Sequence, residues 1–215
     1  MRDKFYHEQL FRGADALKKL GQVRLTVCGA GAVGSNLIFN LARQGLKQIT
    51  VIDFDRVESH NVGTQTYAES DTGMFKVEAV QADVFRTTSF EINAIRKKLD
   101  GKNIRKLLKN TDLVIDGFDN HASRSLVTAH CRDADIPCVH TGLAAEYAEV
   151  IWNETYLVPK DAEGEDVCEY PMARNLIQFA VAMACEAVVR FALTGKRESF
   201  SFTLKDMHIT RHGEY

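Results

Sequence analysis

Proline is scarce in this chain, three in 215 residues, and tryptophan occurs once. So little proline excludes a collagen-like or extended proline-rich chain. No stretch approaches the ~18 consecutive apolar residues of a bilayer crossing, so no membrane partner is expected. The N-terminus lacks the apolar core of a secretory leader. The five cysteines, at 28, 131, 138, 168 and 185, contain no C-x-x-C pair, which argues against a zinc ribbon or a thioredoxin-type motif. Their odd number, without a leader, points to reduced thiols and a cytoplasmic setting. Neither charge sign dominates: 27 basic residues face 29 acidic ones, for a net charge of −2. A general nucleic-acid footprint is therefore absent, and no nucleic-acid partner is expected. The local basic run of Arg96, Lys97, Lys98, Lys102, Arg105, Lys106 and Lys109 reads as a solvated helix face.

What the chain does have is concentrated in residues 24–55. A short apolar run, Leu25 to Cys28, reads as a buried strand. It meets Gly29-Ala-Gly31-Ala32-Val-Gly34, then a segment with Leu37, Ile38 and Leu41 at helical spacing. A second strand-like run, Ile49 to Ile52, ends on Asp53. Strand, glycine turn, helix, strand and acid form the dinucleotide-fold fingerprint. Its first glycine permits the tight turn, the second lets a phosphate approach the backbone, and the third lets helix and strand pack closely. The helix N-terminus then offers free N–H groups to an anion. Asp53 suits a ribose hydroxyl, whereas Asp55 reads either as a second acceptor or as a loop acid. By itself the glycine motif serves nicotinamide, flavin and ATP users alike.

The remaining pattern predicts one α/β domain over residues 1–215, Rossmann-like, with a largely parallel sheet and helices on both faces. Residues 5–20 read as helical, interrupted near Gly13 and ended by Gly21. Residues 56–76 read as a long polar connection, a length that marks either function or a wrong assignment of elements. Helices are expected over 76–85, 101–110, 122–134 and 175–193, and strands over 90–95, 113–115 and 138–140. The β-rich stretch 146–158 predicts antiparallel strands appended at the C-terminal end, and 200–204 alternates and can pair at a sheet edge. Cys28 and Cys185 lie in apolar patterns and read as core, and His140 reads as a satisfied buried or edge histidine.

Together, Gly29-Ala-Gly-Ala-Val-Gly-Ser35, Val51-Ile-Asp-Phe-Asp-Arg-Val-Glu58, Asn61 with Gln65, Gly73-Met-Phe-Lys76 and Asp116-Gly-Phe-Asp-Asn120 resemble the ThiF/MoeB/HesA and ubiquitin-activating-enzyme-like adenylyltransferases. The likeness covers roughly residues 5–195, with the motifs in the family's order. It implies ATP-dependent adenylation of the C-terminal glycine carboxylate of a ubiquitin-like or sulfur-carrier protein, by a homodimer. In such a reaction the carboxylate attacks the α-phosphorus and pyrophosphate leaves, so cations must offset the spreading negative charge. The resemblance implies Lys76 on the phosphates, with a solvated helix-start lysine as the alternative. It implies Asp119 on Mg2+, which is compatible with a helix N-cap there. It also implies nucleotide contacts from Gly29, Gly31, Ala32, Gly34, Asp53, Asp55, Asn61, Gln65 and Asn120. Arg124 reads either as a phosphate contact or as an exposed helix arginine.

Two positions depart from the family pattern. An arginine is common three residues after the asparagine, where this chain has Thr64, and a second, donated from a partner subunit's N-terminal region, corresponds to His7. Neither threonine nor a mostly neutral histidine replaces a fixed guanidinium. Either Arg12, Arg43 or Arg124 substitutes, or adenylation is weakened or lost. The paired zinc cysteines of many members are missing, so no zinc is expected. Cys168 precedes the last long helix by about the interval of a catalytic or sulfur-accepting cysteine in some members. Its acidic neighbours Asp161, Glu163, Glu165, Asp166 and Glu169 would raise a thiol pKa, so nucleophile and loop cysteine both stay open. The alternatives in function are an NAD-dependent oxidoreductase, a dehydratase activating a carboxylate on tRNA, and a degenerate subunit that binds nucleotide or carrier without catalysis.

Overall fold

The computed structural model describes residues 3–160 and 171–214. Eight strands form one sheet in the order β3-β2-β1-β4-β5-β6-β7-β8. The parallel half comprises β1 (Arg24–Cys28), β2 (Gln48–Asp53), β3 (Asn93–Arg96), β4 (Leu113–Asp116) and the start of β5 (Cys138–Ala144). Consecutive strand residues feed opposite faces, as a period of two requires. Val27, Val51, Ile115 and Val139 join one core, whereas Cys28, Ile52, Val114 and Cys138 join the other. Because helices cover both faces, these strands read as unbroken apolar runs rather than alternating ones.

The larger core lies under α2 (Ala14–Leu20), α3 (Ala32–Arg43), α4 (Lys76–Thr88) and α7 (Arg174–Thr194). The smaller lies under α5 (Ile104–Leu107) and α6 (His121–Asp133). Gly13, at φ +89°, separates α1 (Tyr6–Arg12) from α2, a backbone conformation that suits glycine. Among the described helices α7 alone is long and apolar enough to cross a membrane by length and composition. Its Ile177, Val181, Ala184 and Val188 are buried in the larger core, as expected of a central helix in a folded domain.

The structure departs from expectation at the sheet margins. The third strand begins at Asn93 rather than at residue 90. The stretch from 146 supplies a single strand, β6 (Tyr147–Trp152), which forms a hairpin with the lengthened β5. The 200–204 segment, β7 (Glu198–Thr203), is not an edge: β8 (His208–Glu214) pairs along its far side. The 56–76 connection also has structure, with 3-10 turns at Ser59–Asn61 and Glu69–Asp71 and a bridge between Arg56 and Phe75.

Candidate functional site

Strand order reverses between β1 and β4, so the loops leaving their C-terminal ends diverge over the crevice in which open α/β sheets bind ligands. The Gly29 N–H donates to the Ile52 carbonyl and the Gly117 N–H to the Cys28 carbonyl, both at 2.9 Å. These bonds bring the exits of β1, β2 and β4 into register.

The three glycines do different work. Gly29 sits at φ +96°, and a Cβ there would come within 3.0 Å of the Gly117 carbonyl oxygen. A Cβ on Gly34 would lie 1.9 Å from the Gly29 carbonyl oxygen, so only glycine lets α3 pack on this turn. Gly31, the N-cap of α3, has nothing within 4 Å of a Cβ position. No side chain caps α3, leaving the N–H groups that begin at Ala32 for an anion. An open second glycine beside uncapped donors fits a phosphate.

Asp53, 7% exposed, accepts from the Ala30 N–H at 2.7 Å and the Asp55 N–H at 2.8 Å. Burial raises its pKa, with the two N–H bonds and Lys76 opposing that rise. Each carboxylate oxygen retains a lone pair, so a ribose hydroxyl can still donate to it. Lys76 opens α4 with its ammonium 3.5 Å from Asp55, and its side chain is only 12% exposed. It is therefore not a solvated helix-start lysine. Asp55, half exposed, is the counter-ion of Lys76 rather than an idle loop acid. Tyr67, which sequence reasoning missed, donates its one hydroxyl proton to the Ala30 carbonyl at 2.7 Å and lies 3.3 Å from the Lys76 carbonyl, joining the glycine turn to α4.

Asn61 is buried and its side-chain oxygen accepts the Glu58 N–H at 2.9 Å, shaping the turn at 61–66. That turn packs on α3: Asn36 Nδ2 donates to the Ala32 carbonyl at 2.7 Å and to the Thr64 carbonyl at 3.0 Å. The side chains of Gln65 and Thr66 each hold a buried oxygen without a hydrogen-bond partner. A buried unpaired oxygen costs ~1–3 kcal/mol, so a ligand donor there would be favoured.

Across the crevice Asp119 is exposed. The helix cap is Asn120, not Asp119: Asn120 Oδ1 accepts the Ser123 N–H at 2.9 Å, while its Nδ2 donates to Asp119 Oδ1 at 3.2 Å. Asn120 thereby steers the carboxylate. Among the described residues no three His, Cys, Asp or Glu side chains cluster to hold a metal ion. A lone exposed carboxylate fits Mg2+ that arrives with phosphates and keeps its waters.

Arg124 corrects the sequence reading, being neither free nor exposed. It is 8% exposed, and its guanidinium donates to the Tyr156 hydroxyl at 2.6 Å and the Thr141 carbonyl at 3.2 Å. Burial alone would lower its pKa, but Asp116 and Tyr156 hold the charge. Tyr156 in turn stacks on His140 at 3.8 Å between centroids. His140 is fully buried between Asp116 and Asn153, at 2.9 Å from each. Asn153 Nδ2 faces the Thr128 carbonyl, so its oxygen faces the ring and His140 Nε2 must donate. His140 is thus the satisfied buried histidine expected of it.

Burial pushes the Cys28, Cys138 and Cys185 thiols up, as befits core residues. Cys168 lies outside the described residues.

A family model for the ThiF family matches residues 6–196. The chain belongs to the ThiF family. It is 31% identical over 130 residues to the SAMP-activating enzyme E1 of Haloferax volcanii, covering 60% of this chain and 48% of that protein. It is 31% identical over 131 residues to the molybdopterin-synthase adenylyltransferase of Salmonella typhimurium, covering 60% and 51%. The matched stretch spans from about a quarter to about half the length of the curated relatives. Among solved structures it superimposes on E. coli MccB with bound MccA-N7isoASN at a TM-score of 0.83 and 17% identity, covering 99% of this chain and 72% of that one. At that identity the likeness concerns the fold.

Proposed function

We propose that this ThiF-family chain adenylates the C-terminal glycine carboxylate of a ubiquitin-like or sulfur-carrier protein, with ATP as co-substrate. The observation that carries this reading is the junction of the β1, β2 and β4 exits, where Gly31 leaves open space beside uncapped α3 donors and Lys76 stands beside Asp53 and Asp55. The glycine turn and α3 hold a phosphate, and Asp53 holds the ribose. Lys76 exchanges Asp55 for phosphate as ATP enters and offsets the charge that builds while the carrier carboxylate attacks the α-phosphorus and pyrophosphate departs. Asp119, steered by Asn120, would hold Mg2+. When bound, that ion neutralises phosphate charge. The buried Arg124–Tyr156 and Asp116–His140 contacts brace the loop that carries Asp119. The oxidoreductase alternative leaves Lys76 and Asp119 without a task. We assign homodimerisation as well, supported by Leu10 and Phe11 on α1, which are 67% and 79% exposed; size-exclusion chromatography with light scattering tests it.

The decisive assay is ATP–pyrophosphate exchange dependent on small carrier proteins ending in Gly-Gly. Wild-type protein is expected to exchange, and Lys76→Ala to lose most of the rate and weaken ATP binding. Absence of exchange with every carrier tail, together with unchanged ATP affinity in Lys76→Ala, would overturn the assignment.

A further inference from the structure

A triphosphate carries several negative charges, whereas the Lys76 ammonium is already faced by Asp55 at 3.5 Å. The adenylation site therefore needs a further cation. None of the three arginines expected to supply it is available at the start of α3. Arg12 is held by Glu8 at 2.8 Å and Glu186 at 2.7 Å. Arg43 lies in the last turn of α3, at the far end from Gly31, over the Phe39 ring. Arg124 is buried on Tyr156 and Thr141.

Arg174 is placed differently: it is the first residue of α7, exposed, and without an acidic partner among the described residues. Its Nη1 donates to the Gly63 carbonyl at 3.1 Å. Gly63 belongs to the 61–66 turn, which is fastened to the first two turns of α3 through Asn36 and, at 3.3 Å, through the Thr66 N–H to Ser35 Oγ. One turn further along α7, Gln178 donates to Asn36 Oδ1 at 3.0 Å, so the same face of α7 is clamped to the same part of α3. The unpartnered buried oxygens of Gln65 and Thr66 lie in that turn too. A guanidinium has five donors in a planar fork, so one bond to Gly63 leaves the others for phosphate oxygens.

We propose that Arg174 is a phosphate-contacting residue of this site, delivered by α7 to the turn in which Thr64 stands where the family resemblance expects an arginine. Anchored on Gly63, it turns its remaining donors to the triphosphate from the 61–66 turn. This rests on the adenylation reading.

The test is calorimetric titration of the full chain with non-hydrolysable ATP and with adenosine, using wild type, Arg174→Ala, Arg174→Lys and, as a surface control, Arg105→Ala. Arg174→Ala is expected to weaken the ATP analogue about tenfold or more, the loss of a charge-assisted bond, with adenosine within about twofold of wild type. Arg174→Lys falls between, keeping the charge but not the fork. The proposal is overturned if Arg174→Ala binds the analogue within about twofold of wild type. It is equally overturned if analogue and adenosine weaken alike, since Arg174 then only braces the turn. Should wild type bind no ATP analogue, the adenylation reading fails and carries this one with it. Should wild type bind and Arg174→Ala match it, the Arg174 assignment alone fails.

Discussion

Substituting Gly34 and Gly31 separately by alanine splits the glycine turn into a packing role and a binding role. At Gly34 the new Cβ would sit 1.9 Å from the Gly29 carbonyl oxygen and 2.9 Å from its carbon. Both atoms are backbone, and Gly29 is itself held by the Ile52 carbonyl. Relief must come from retreat of α3 by on the order of 1.5 Å, given a normal contact near 3.5 Å. That retreat loosens Leu37, Ile38 and Leu41, all fully buried. Overpacking of this kind costs ~1–3 kcal/mol, and a clash of backbone with backbone belongs at the top of that range. For a domain of this size ~3 kcal/mol lowers Tm by about 6–12 °C. At Gly31 a Cβ meets nothing within 4 Å, and φ is −79°, so alanine fits the backbone. Its Tm is expected within about 2 °C of wild type, while its methyl occupies the phosphate approach and weakens ATP binding about tenfold or more. Thermal unfolding followed by circular dichroism without nucleotide, beside ATP titration of the same samples, reads both. A Gly34→Ala protein that melts within about 2 °C of wild type, or a Gly31→Ala protein with full ATP affinity, refutes the division of labour.

Two further outcomes follow from buried polar contacts. His140→Ala leaves two buried oxygens, Asp116 Oδ2 and Asn153 Oδ1, without their hydrogen-bond partner; each unsatisfied group costs ~1–3 kcal/mol, which urea denaturation should report as a lower midpoint. Burial alone would raise the Glu186 pKa, but hydrogen bonds from Arg12 and Arg190 hold it below the ordinary glutamate value. A carboxylate lowered on folding contributes stability above its unfolded pKa and loses it as pH falls through the folded value. Glu186→Gln should therefore flatten the acid limb of the Tm–pH profile; a limb as steep as wild type would remove Glu186 from that account.

The parallel half of the sheet was legible because each strand is buried on both faces, which writes an uninterrupted apolar run such as Leu25–Cys28 or Leu113–Ile115. The glycine turn was equally legible, since Gly29 and Gly34 answer constraints within a few residues of themselves. β8 was not, because His208–Glu214 is polar and becomes a strand only by pairing with β7. The conflict at β7 had the same source: alternation along a strand says nothing about what lies beside it.

At the site, the sequence alone determined which residue types stand at the strand exits: Asp53 after β2, Lys76 at the start of α4, Asp119 after β4. Tertiary structure decided what each is doing. It paired Lys76 with Asp55, handed the helix cap to Asn120, buried Arg124 on Tyr156 and set Arg174 against Gly63. The reason is physical. A local motif is fixed by backbone geometry over a handful of residues, whereas a charged side chain is committed by partners distant in the chain, as Gly63 and Arg174 are at 111 residues apart.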